Sequence, residues 1–177
     1  NIALRDKDAV GLRLEDLKEN PEAAIPALCK WIGITETESL YEMTAQGKKW
    51  WGDPSSPRYE KEGMVAFGKP CKEYKMENIF SKNDCFILNT LFYPFRVRFG
   101  YTKEDIRKFE IDLDSIGPLI EQLMDFEEVL IERLEISPEQ FMNSGSYKFL
   151  RTGMIERWQV LKKFGTYSNM IKPLKIS

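Results

Sequence analysis

Two adjacent tryptophans, Trp50 and Trp51, stand close to Asp53 and Ser55 in the segment 47–59, which is dense in turn-forming residues. Neighbouring side chains point to different sides of a helix or strand, so at least one indole is expected at a surface or against a ligand. Aromatic walls with a few polar groups suit small or sugar-like ligands. We therefore name Trp50, Trp51, Asp53 and Ser55 as candidate substrate-binding residues; the alternative is a Trp pair that plugs the edge of the core.

Histidine is absent from the chain, and the three cysteines Cys29, Cys71 and Cys85 are widely spaced, without a CxxC pair. Zinc sites are built largely from these two residue types at close spacing, so no metal site is predicted. A mechanism that needs an imidazole base cannot be completed within this chain. Cys29 and Cys85 fall on apolar helix faces and are interpreted as reduced core thiols, which favours a cytoplasmic location.

The composition allows one domain, or one domain plus an extension, because 177 residues with 42% hydrophobic content can bury a sizeable core. A net charge of −2 argues against a general nucleic-acid binder. No apolar run reaches the length of a membrane span, and no signal peptide is visible, so no membrane association is expected. The chain lacks an initiator Met and runs directly into a predicted strand, and we expect it to be cut from a longer protein.

Residues 9–33 are the element that is expected to position everything else. Hydrophobic residues alternate through Val10–Leu14, which predicts a strand with one buried face. An acidic turn follows, and Asn20 before Pro21 predicts a helix start. Ile25, Leu28, Cys29 and Ile32 fall on one face of that helix, and Gly33 is a typical left-handed helix stop. A strand that feeds a helix through a polar turn is half of a βα unit and indicates an α/β fold.

The same segment carries a family resemblance. Its string RLEDLKENP at 13–21, followed by a helix that ends LCKWIG at 28–33, resembles the "(R/F)YEDLKxNP…LxxFLG" segment of PAPS-dependent sulfotransferases. Those enzymes move a sulfuryl group from phosphoadenosine phosphosulfate to a hydroxyl or amine. A Trp/Gly-rich segment at 47–56 and a closing Gly-Tyr at 100–101 follow in the order of bacterial members, so the resemblance covers about residues 5–101. Leu14 departs from the family, which often has there a Tyr that helps hold the adenine.

The resemblance implies an α/β chain, the C-terminal portion of the P-loop-like sulfotransferase fold, that is predominantly α with one or two strands. It implies two domains, a sulfotransferase-like half at 1–101 and a helical C-terminal extension at 102–177. The family's phosphate-binding loop and acid/base residue lie N-terminal to everything present here. No catalytic residue is therefore predicted, and this chain alone is expected to be inactive unless an N-terminal half completes it.

The cofactor implied by the resemblance is PAPS or its desulfonated product PAP. In the family, a loop of the form Arg-Lys-Gly-x-x-Gly-x-Trp closes over the 3′-phosphate, for which cations and backbone amides are suited. Two stretches compete for this role. One offers Gly68, Lys69 and Lys72 at about the right place; the other offers Arg151 and Gly153 with the Arg-x-Gly-x4-Trp spacing but far later. The alternatives are solvated loop lysines and a helix bearing one glycine. The acceptor would be a small molecule or carbohydrate.

A short helix is predicted at 35–43. Ser81 and Asp84 resemble a capping box, which predicts the start of an apolar helix, and Pro94 should kink or end that helix.

Residues 102–177 are predicted to be helical, with helices at 103–109 (capped by Thr102), from 114 or 115 to about 134, from 137, and at 147–164. The segment 104–139 holds 12 acidic and 3 basic residues, whereas 145–177 holds 7 basic and 1 acidic residue. Segments of opposite charge are expected to pack against one another, since each lowers the electrostatic cost of the other.

Two hypotheses compete with the sulfotransferase interpretation. The first is a helical interaction or regulatory module without catalysis, suggested by the charge-polarised 102–177 segment. The second and weaker one is nucleic-acid binding by a basic stripe on one helix, without a recognised motif; the stripe comprises Lys148, Arg151, Arg157, Lys162 and Lys163. A homodimer is also expected, because a strand at 10–14 without neighbours leaves an edge that a partner or swapped segment must cover.

Overall fold

The computed structural model describes residues 9–42, 44–46, 48–50, 53–55, 67 and 79–176, and most of them are helical. The elements in chain order are β1 (Val10–Gly11), α1 (Leu14–Glu19), α2 (Pro21–Ile32), β2 (Thr44–Ala45), β3 (Lys48–Lys49), α3 (Lys82–Leu91), α4 (Tyr93–Arg98), α5 (Ile106–Ile116), α6 (Asp125–Leu134), α7 (Pro138–Asn143), α8 (Gly145–Phe164) and β4 (Lys172–Pro173). The predicted helical majority is confirmed. The chain divides into two compact units: Tyr74–Met170, and Ile2–Glu73 with Ile171–Ser177.

The first unit along the chain contains a short parallel strand pair, β1 with β4. Val10 lies opposite Lys172 and Gly11 opposite Pro173, and the Leu174 N–H donates to the Gly11 carbonyl at 2.7 Å. The chain's own C-terminal residues thus cover one edge of β1. Dimerisation, which we inferred from an uncovered edge, stays a prediction.

The predicted strand at 10–14 is wrong beyond Gly11. Leu14 begins α1, and the segment expected to be an acidic turn is helical. Glu15 and Asp16 stand in the first turn of α1 and Lys18 in its last, an arrangement that favours a helix because each charge complements the nearer end of the helix dipole.

Helix α2 follows the prediction at both ends. Pro21 stands in its first turn, and Gly33 ends it in the left-handed conformation, at φ 83°. Ala24, Ile25 and Cys29 are buried along one face of α2, and Cys29 is a free thiol. Ile32, predicted to share this face, is instead exposed.

The prediction of a helix at 35–43 is wrong, because this segment forms only a 3-10 turn, at Glu38–Tyr41. Thr37 before it is extended, as β-branched residues favour. An antiparallel pair follows, in which Thr44 lies opposite Lys49 and Ala45 opposite Lys48.

The second unit begins with α3, whose start was correctly predicted. Ser81 and Asp84 form a reciprocal capping box: the Asp84 N–H donates to the Ser81 hydroxyl at 3.1 Å, and the Ser81 N–H donates to the Asp84 carboxylate at 2.9 Å. Helix α3 ends at Leu91, and α4 starts anew with Pro94 in its first turn. Proline lacks the N–H that a continuous helix would need at this point, so the predicted break is confirmed.

The predicted boundaries of the next helices are wrong. Asp105, not Thr102, caps α5, by accepting the Lys108 N–H at 3.0 Å. Helix α5 continues through the expected new start at 114 or 115 and ends at Ile116. Gly117 and Pro118 follow, and the next helix, α6, begins only at Asp125; Pro118 cannot donate the backbone bond that would extend α5.

The helix starts at Ser137 and near 147 are confirmed. Ser137 and Gln140 form a capping box that opens α7. Ser144 caps α8, which runs to Phe164 and ends at Gly165 in the left-handed conformation. Cys85 lies in α3 as a half-buried free thiol.

One hydrophobic core holds the second unit together. Its buried members come from α3, α5, α8 and the connection between α5 and α6: Ile87, Leu91, Phe109, Leu113, Ile116, Ile120, Met124, Met154 and Leu161. The Trp158 indole N–H donates to the Leu113 carbonyl at 2.8 Å and ties α8 to α5. Helices on both sides of residue 101 share this core, although the domain boundary implied there by the resemblance stays a prediction.

The expected packing of acidic on basic segments is confirmed within this unit. Lys162 on α8 pairs with Asp114 on α5, and Arg151 on α8 pairs with Glu127 on α6. Both pairs join a helix of the 145–177 segment to a helix of the 104–139 segment.

Candidate binding groove

An open groove with a cavity volume of about 430 Å³ lies where α4, the start of α5 and the end of α8 meet. Most of its wall is apolar, and the apolar lining residues are Tyr93, Pro94, Val97, Ile106, Phe164 and Met170. Arg98, Glu104, Gly165 and Thr166 complete the lining. The volume is within the range of ligand-binding pockets.

The α4–α5 wall of the groove is fixed by Tyr93. Its ring stacks on that of Phe109, with 4.3 Å between the centroids, and Phe109 belongs to the core. The Tyr93 hydroxyl accepts the Asp105 N–H, and Asp105 is the residue that caps α5. The position of this wall is therefore set by the same contacts that begin α5.

The opposite wall depends on the end of α8. Gly165, at φ 67°, donates its N–H to the Leu161 carbonyl and ends the helix. The chain then turns back, and the Arg98 guanidinium donates to the Met170 carbonyl at 2.7 Å. Phe164 remains 63% exposed and Ile106 52% exposed. Two large apolar side chains thus stand at the groove with about half or more of their surface open to solvent.

The segments that form the groove are strongly basic. Residues 93–108 and 162–166 contain seven Lys or Arg and two acidic residues, in a chain of net charge −2. Lys108 pairs with Asp112 and Lys162 with Asp114. With those two carboxylates included, the segments that form the groove still contain three more basic than acidic residues.

Charged side chains are few in the groove lining that the structure describes. Glu104 is the one carboxylate there, Arg98 the one cation, and neither cysteine nor lysine occurs. Sequence reasoning did not name these groove residues; the signal available to it was the basic excess at 93–108.

Arg151, named as a cofactor contact, lies in the core of the second unit. Its guanidinium donates to the Ile120 carbonyl at 2.6 Å and to the Glu127 carboxylate, and it lies over the Tyr147 ring at 5.0 Å. Glu127 also accepts the Met124 N–H at 2.8 Å. The cation is thus already paired with a buried carboxylate.

Gly153, the second residue of that pair of candidates, lies inside α8 rather than in a loop. A helix interior does not present backbone N–H groups to an anion, because they are bonded to carbonyls one turn earlier. A nucleotide role for Arg151 and Gly153 stays a prediction, and the function proposed below does not use it.

The candidate substrate residues near Trp50 are described in part. The Trp50 indole is 48% exposed, which confirms that at least one of the two indoles is at the surface. The Ser55 N–H donates to the Asp53 carboxylate at 2.8 Å, and this bond lowers the pKa of Asp53. Their substrate-binding role stays a prediction.

Four other candidates lie outside the described residues, namely Trp51, Gly68, Lys69 and Lys72. Their assignments, to an acceptor pocket for Trp51 and to the PAPS phosphate for the other three, also stay predictions.

Among the residues that the structure describes, two tyrosines have strongly raised pKa values. Burial raises the pKa of Tyr167 to about 12, and its hydroxyl donates to the Leu91 carbonyl at 2.6 Å. The Tyr41 hydroxyl donates to the Glu36 carboxylate at 2.6 Å, and this bond raises the pKa of Tyr41 to about 12. Tyr167 follows α8 and joins the end of that helix to α3, close in sequence to the groove wall at Gly165 and Thr166.

Comparisons of the chain with protein-family models, curated proteins and solved structures give no match. The sulfotransferase resemblance therefore depends on the residues quoted above alone. In the part of the chain that the structure describes, no helix is both long and apolar enough to cross a membrane, and no three His, Cys, Asp or Glu residues are grouped to hold a metal ion.

Proposed function

We propose that the second unit is a protein-interaction module without catalysis, and that its groove receives an apolar segment of a partner protein. The observation that carries this proposal is the groove itself, a cavity of about 430 Å³ with Phe164 and Ile106 exposed at its wall. Covering these side chains would remove apolar surface from water, which is the main driving force of most protein association.

The architecture supports a helical partner segment rather than an extended one. Extended peptides bind by adding a strand to an open sheet edge. The groove walls are the helices α4, α5 and α8 with their connections, and within the helices the backbone groups are already bonded. Recognition would therefore rely on side chains, as when an amphipathic helix lies in a groove.

Two isoleucines of α5 offer a matched test. Ile106 lines the groove and is 52% exposed, whereas Ile111 does not line it and is 60% exposed. A library of random peptides is selected on the full chain, and the affinity of enriched peptides is measured for the Ile106→Ser and Ile111→Ser variants. We expect roughly tenfold or greater weakening for the first variant and little change for the second. Peptides that bind both variants equally, or a selection that yields no binder, would refute the proposal.

A second candidate function is the sulfotransferase-like one implied by the sequence, as the C-terminal portion of that α/β fold. One observation favours it: β1 and β4 pair in parallel, and the chain passes from β1 into the helices α1 and α2 before it returns to β4, as in α/β proteins. Calorimetric titration of the longest available form of the protein with PAP is the test. Binding that Lys69→Ala weakens would support this candidate, and no binding at millimolar nucleotide would exclude it.

A further inference from the structure

Residues 171–176, which we call the arm, belong to a different unit from the helix that precedes them. Helix α8 and the residues up to Met170 are part of the second unit, whereas Ile171 and the residues after it are part of the first. A turn at Ser168 and Asn169 separates α8 from the arm. The arm contains β4, which pairs in parallel with β1. The chain therefore leaves the second unit to add a strand to the first.

The contact between the arm and β1 depends on backbone groups and on partly buried side chains. The Leu174 N–H donates to the Gly11 carbonyl at 2.7 Å. None of the six arm residues is fully buried, and the half-buried ones are Ile171, Leu174 and Ile176. A segment with few buried apolar contacts opens locally at a low cost in free energy. The arm is therefore expected to leave β1 without the unfolding of either unit.

The turn before the arm contains a backbone conformation that few residue types adopt easily. Asn169 has a φ of 80°, in the left-handed region that is rare for residues other than glycine. Two contacts flank the turn: the Tyr167 hydroxyl donates to the Leu91 carbonyl at 2.6 Å, and the Arg98 guanidinium donates to the Met170 carbonyl at 2.7 Å. A linker that ran extended from one copy to another would not need this conformation at Asn169.

We infer that the arm is exchanged between two copies of this chain, so that β4 of each copy pairs with β1 of the other. Both copies have the same sequence, so the contact in the dimer is the one already formed within a single chain. The exchange is reciprocal and closes as a two-fold dimer. It differs from dimerisation through an uncovered strand edge, because β1 is covered in both states. The inference goes beyond the proposed function and does not use the groove.

The first experiment measures the molar mass of the full chain against its concentration by light scattering. A short linker gives the chain's own arm an effective concentration on the order of 1 mM, so we expect wild-type protein incubated at about 1 mM to exceed the 20.7 kDa of one chain. Protein kept at about 10 μM should be monomeric.

Two substitutions of Asn169 should move this equilibrium in opposite directions. Valine disfavours the left-handed region and should favour the exchanged dimer by about tenfold per chain, and so by about a hundredfold per dimer. Glycine adopts that region freely, so Asn169→Gly should make the dimer weaker than in the wild-type chain. Equal dimer constants for the two variants would overturn the inference, as would an Asn169→Val chain that stays monomeric at about 1 mM.

Disulfide trapping identifies which chains supply the two strands. Val10 lies opposite Lys172, and cysteines at such neighbouring positions can be bridged. An Asn169→Val chain with Val10→Cys is mixed with an Asn169→Val chain with Lys172→Cys and oxidised. Each chain carries one of the two new cysteines, so a link between positions 10 and 172 requires exchange. We expect this link in the covalent dimer when its peptides are mapped by mass spectrometry.

A control for random collision replaces Lys172→Cys with Glu110→Cys, which is exposed on α5. Leu174→Pro removes the N–H group that the Gly11 carbonyl accepts and should return the Asn169→Val chain to a monomer. Absence of the 10–172 link, equal linking of the Glu110→Cys control, or a dimer unaffected by Leu174→Pro would overturn the inference.

The outcome is separable from that of the proposed function. Ile106→Ser, which should weaken peptide binding in the groove, is expected to leave the dimer constant of the Asn169→Val chain unchanged. Loss of the dimer in that double variant would assign the association to the groove and overturn the exchange. If the arm is not exchanged but selected peptides still bind, the proposed function stands without it.

Discussion

The buried carboxylate of Asp84 joins the starts of two helices of the second unit, and its removal should destabilise both. It is 1% exposed and accepts three backbone N–H groups: Ser81 at 2.9 Å, Asp125 at 3.0 Å and Phe126 at 3.1 Å. The first belongs to the capping box of α3, and the other two are the first N–H groups of α6. One side chain thus caps its own helix and the start of another helix 41 residues later.

The magnitude follows from these three bonds. A hydrogen bond to a charged group contributes about 1.5–3 kcal/mol to stability, so three give an upper limit of about 9 kcal/mol. Ser81, Asp125 and Phe126 are only half-buried, and water can replace part of each lost bond. We therefore expect Asp84→Ala to lower the free energy of unfolding by about 3 kcal/mol, a large share of the 5–15 kcal/mol typical of a domain.

The assay combines urea unfolding, followed by far-ultraviolet circular dichroism, with hydrogen exchange measured by mass spectrometry. Asp105→Ala is the matched control, because Asp105 is exposed and caps α5 through a single bond to the Lys108 N–H. Asp105→Ala should lower the free energy of unfolding by about 1 kcal/mol. In Asp84→Ala, exchange should become faster in α6 as well as in α3. Equal destabilisation by the two variants, or faster exchange confined to α3, would refute this reasoning.

Three further predictions concern other residues of this unit. Arg151→Met should lower the free energy of unfolding in urea by about 3–5 kcal/mol, because it leaves Glu127 buried without a cation. Adding Glu127→Leu should recover most of that loss. A double variant that is no more stable than Arg151→Met would contradict this. Gly153→Ala should raise the free energy of unfolding by about 0.5–1 kcal/mol, since nothing lies within 4 Å of the added Cβ. Gly165→Ala should lower it by about 1 kcal/mol, because Gly165 has a φ of 67°. Folding raises the pKa of Tyr167 from 10 to about 12. The contribution of the neutral Tyr167 hydroxyl to the free energy of unfolding is therefore complete below pH 10 and is lost as the pH rises to 12. Melting temperatures across this window should fall less for Tyr167→Phe than for the wild-type chain, and parallel curves would contradict the assignment.

Helix starts were predictable where the capping contacts are local. Ser81 with Asp84, and Ser137 with Gln140, lie three residues apart and satisfy each other's backbone groups. The start of α5 was not predictable in this way, because both Thr102 and Asp105 are capping residue types. The structure selects Asp105, whose N–H donates to the Tyr93 hydroxyl. That donor and acceptor are 12 residues apart, so a local pattern does not reveal the choice.

The candidate sites show the same limit. Arg151 with Gly153 matched a phosphate-loop spacing, but the partner of Arg151 is Glu127, 24 residues earlier on a different helix. The groove joins residues of α4 to residues after α8, and no single string of the sequence contains it. The opposite net charges of segments 104–139 and 145–177 can be seen in the sequence, and they correctly predicted that these segments pack together.

Charge polarity has two separable effects in this unit, and they depend on burial. The Arg151–Glu127 pair is almost fully buried, so breaking it leaves an uncompensated charge in the core and should destabilise the fold strongly. The Lys162–Asp114 pair is exposed, and such pairs contribute only about 0–1 kcal/mol to stability. The same argument applies to Lys103 and Arg107, which are exposed and are therefore expected to contribute little to folding stability. We conclude that the uneven distribution of charge along 104–177 stabilises the packing of α8 mainly through its one buried pair, Arg151 with Glu127.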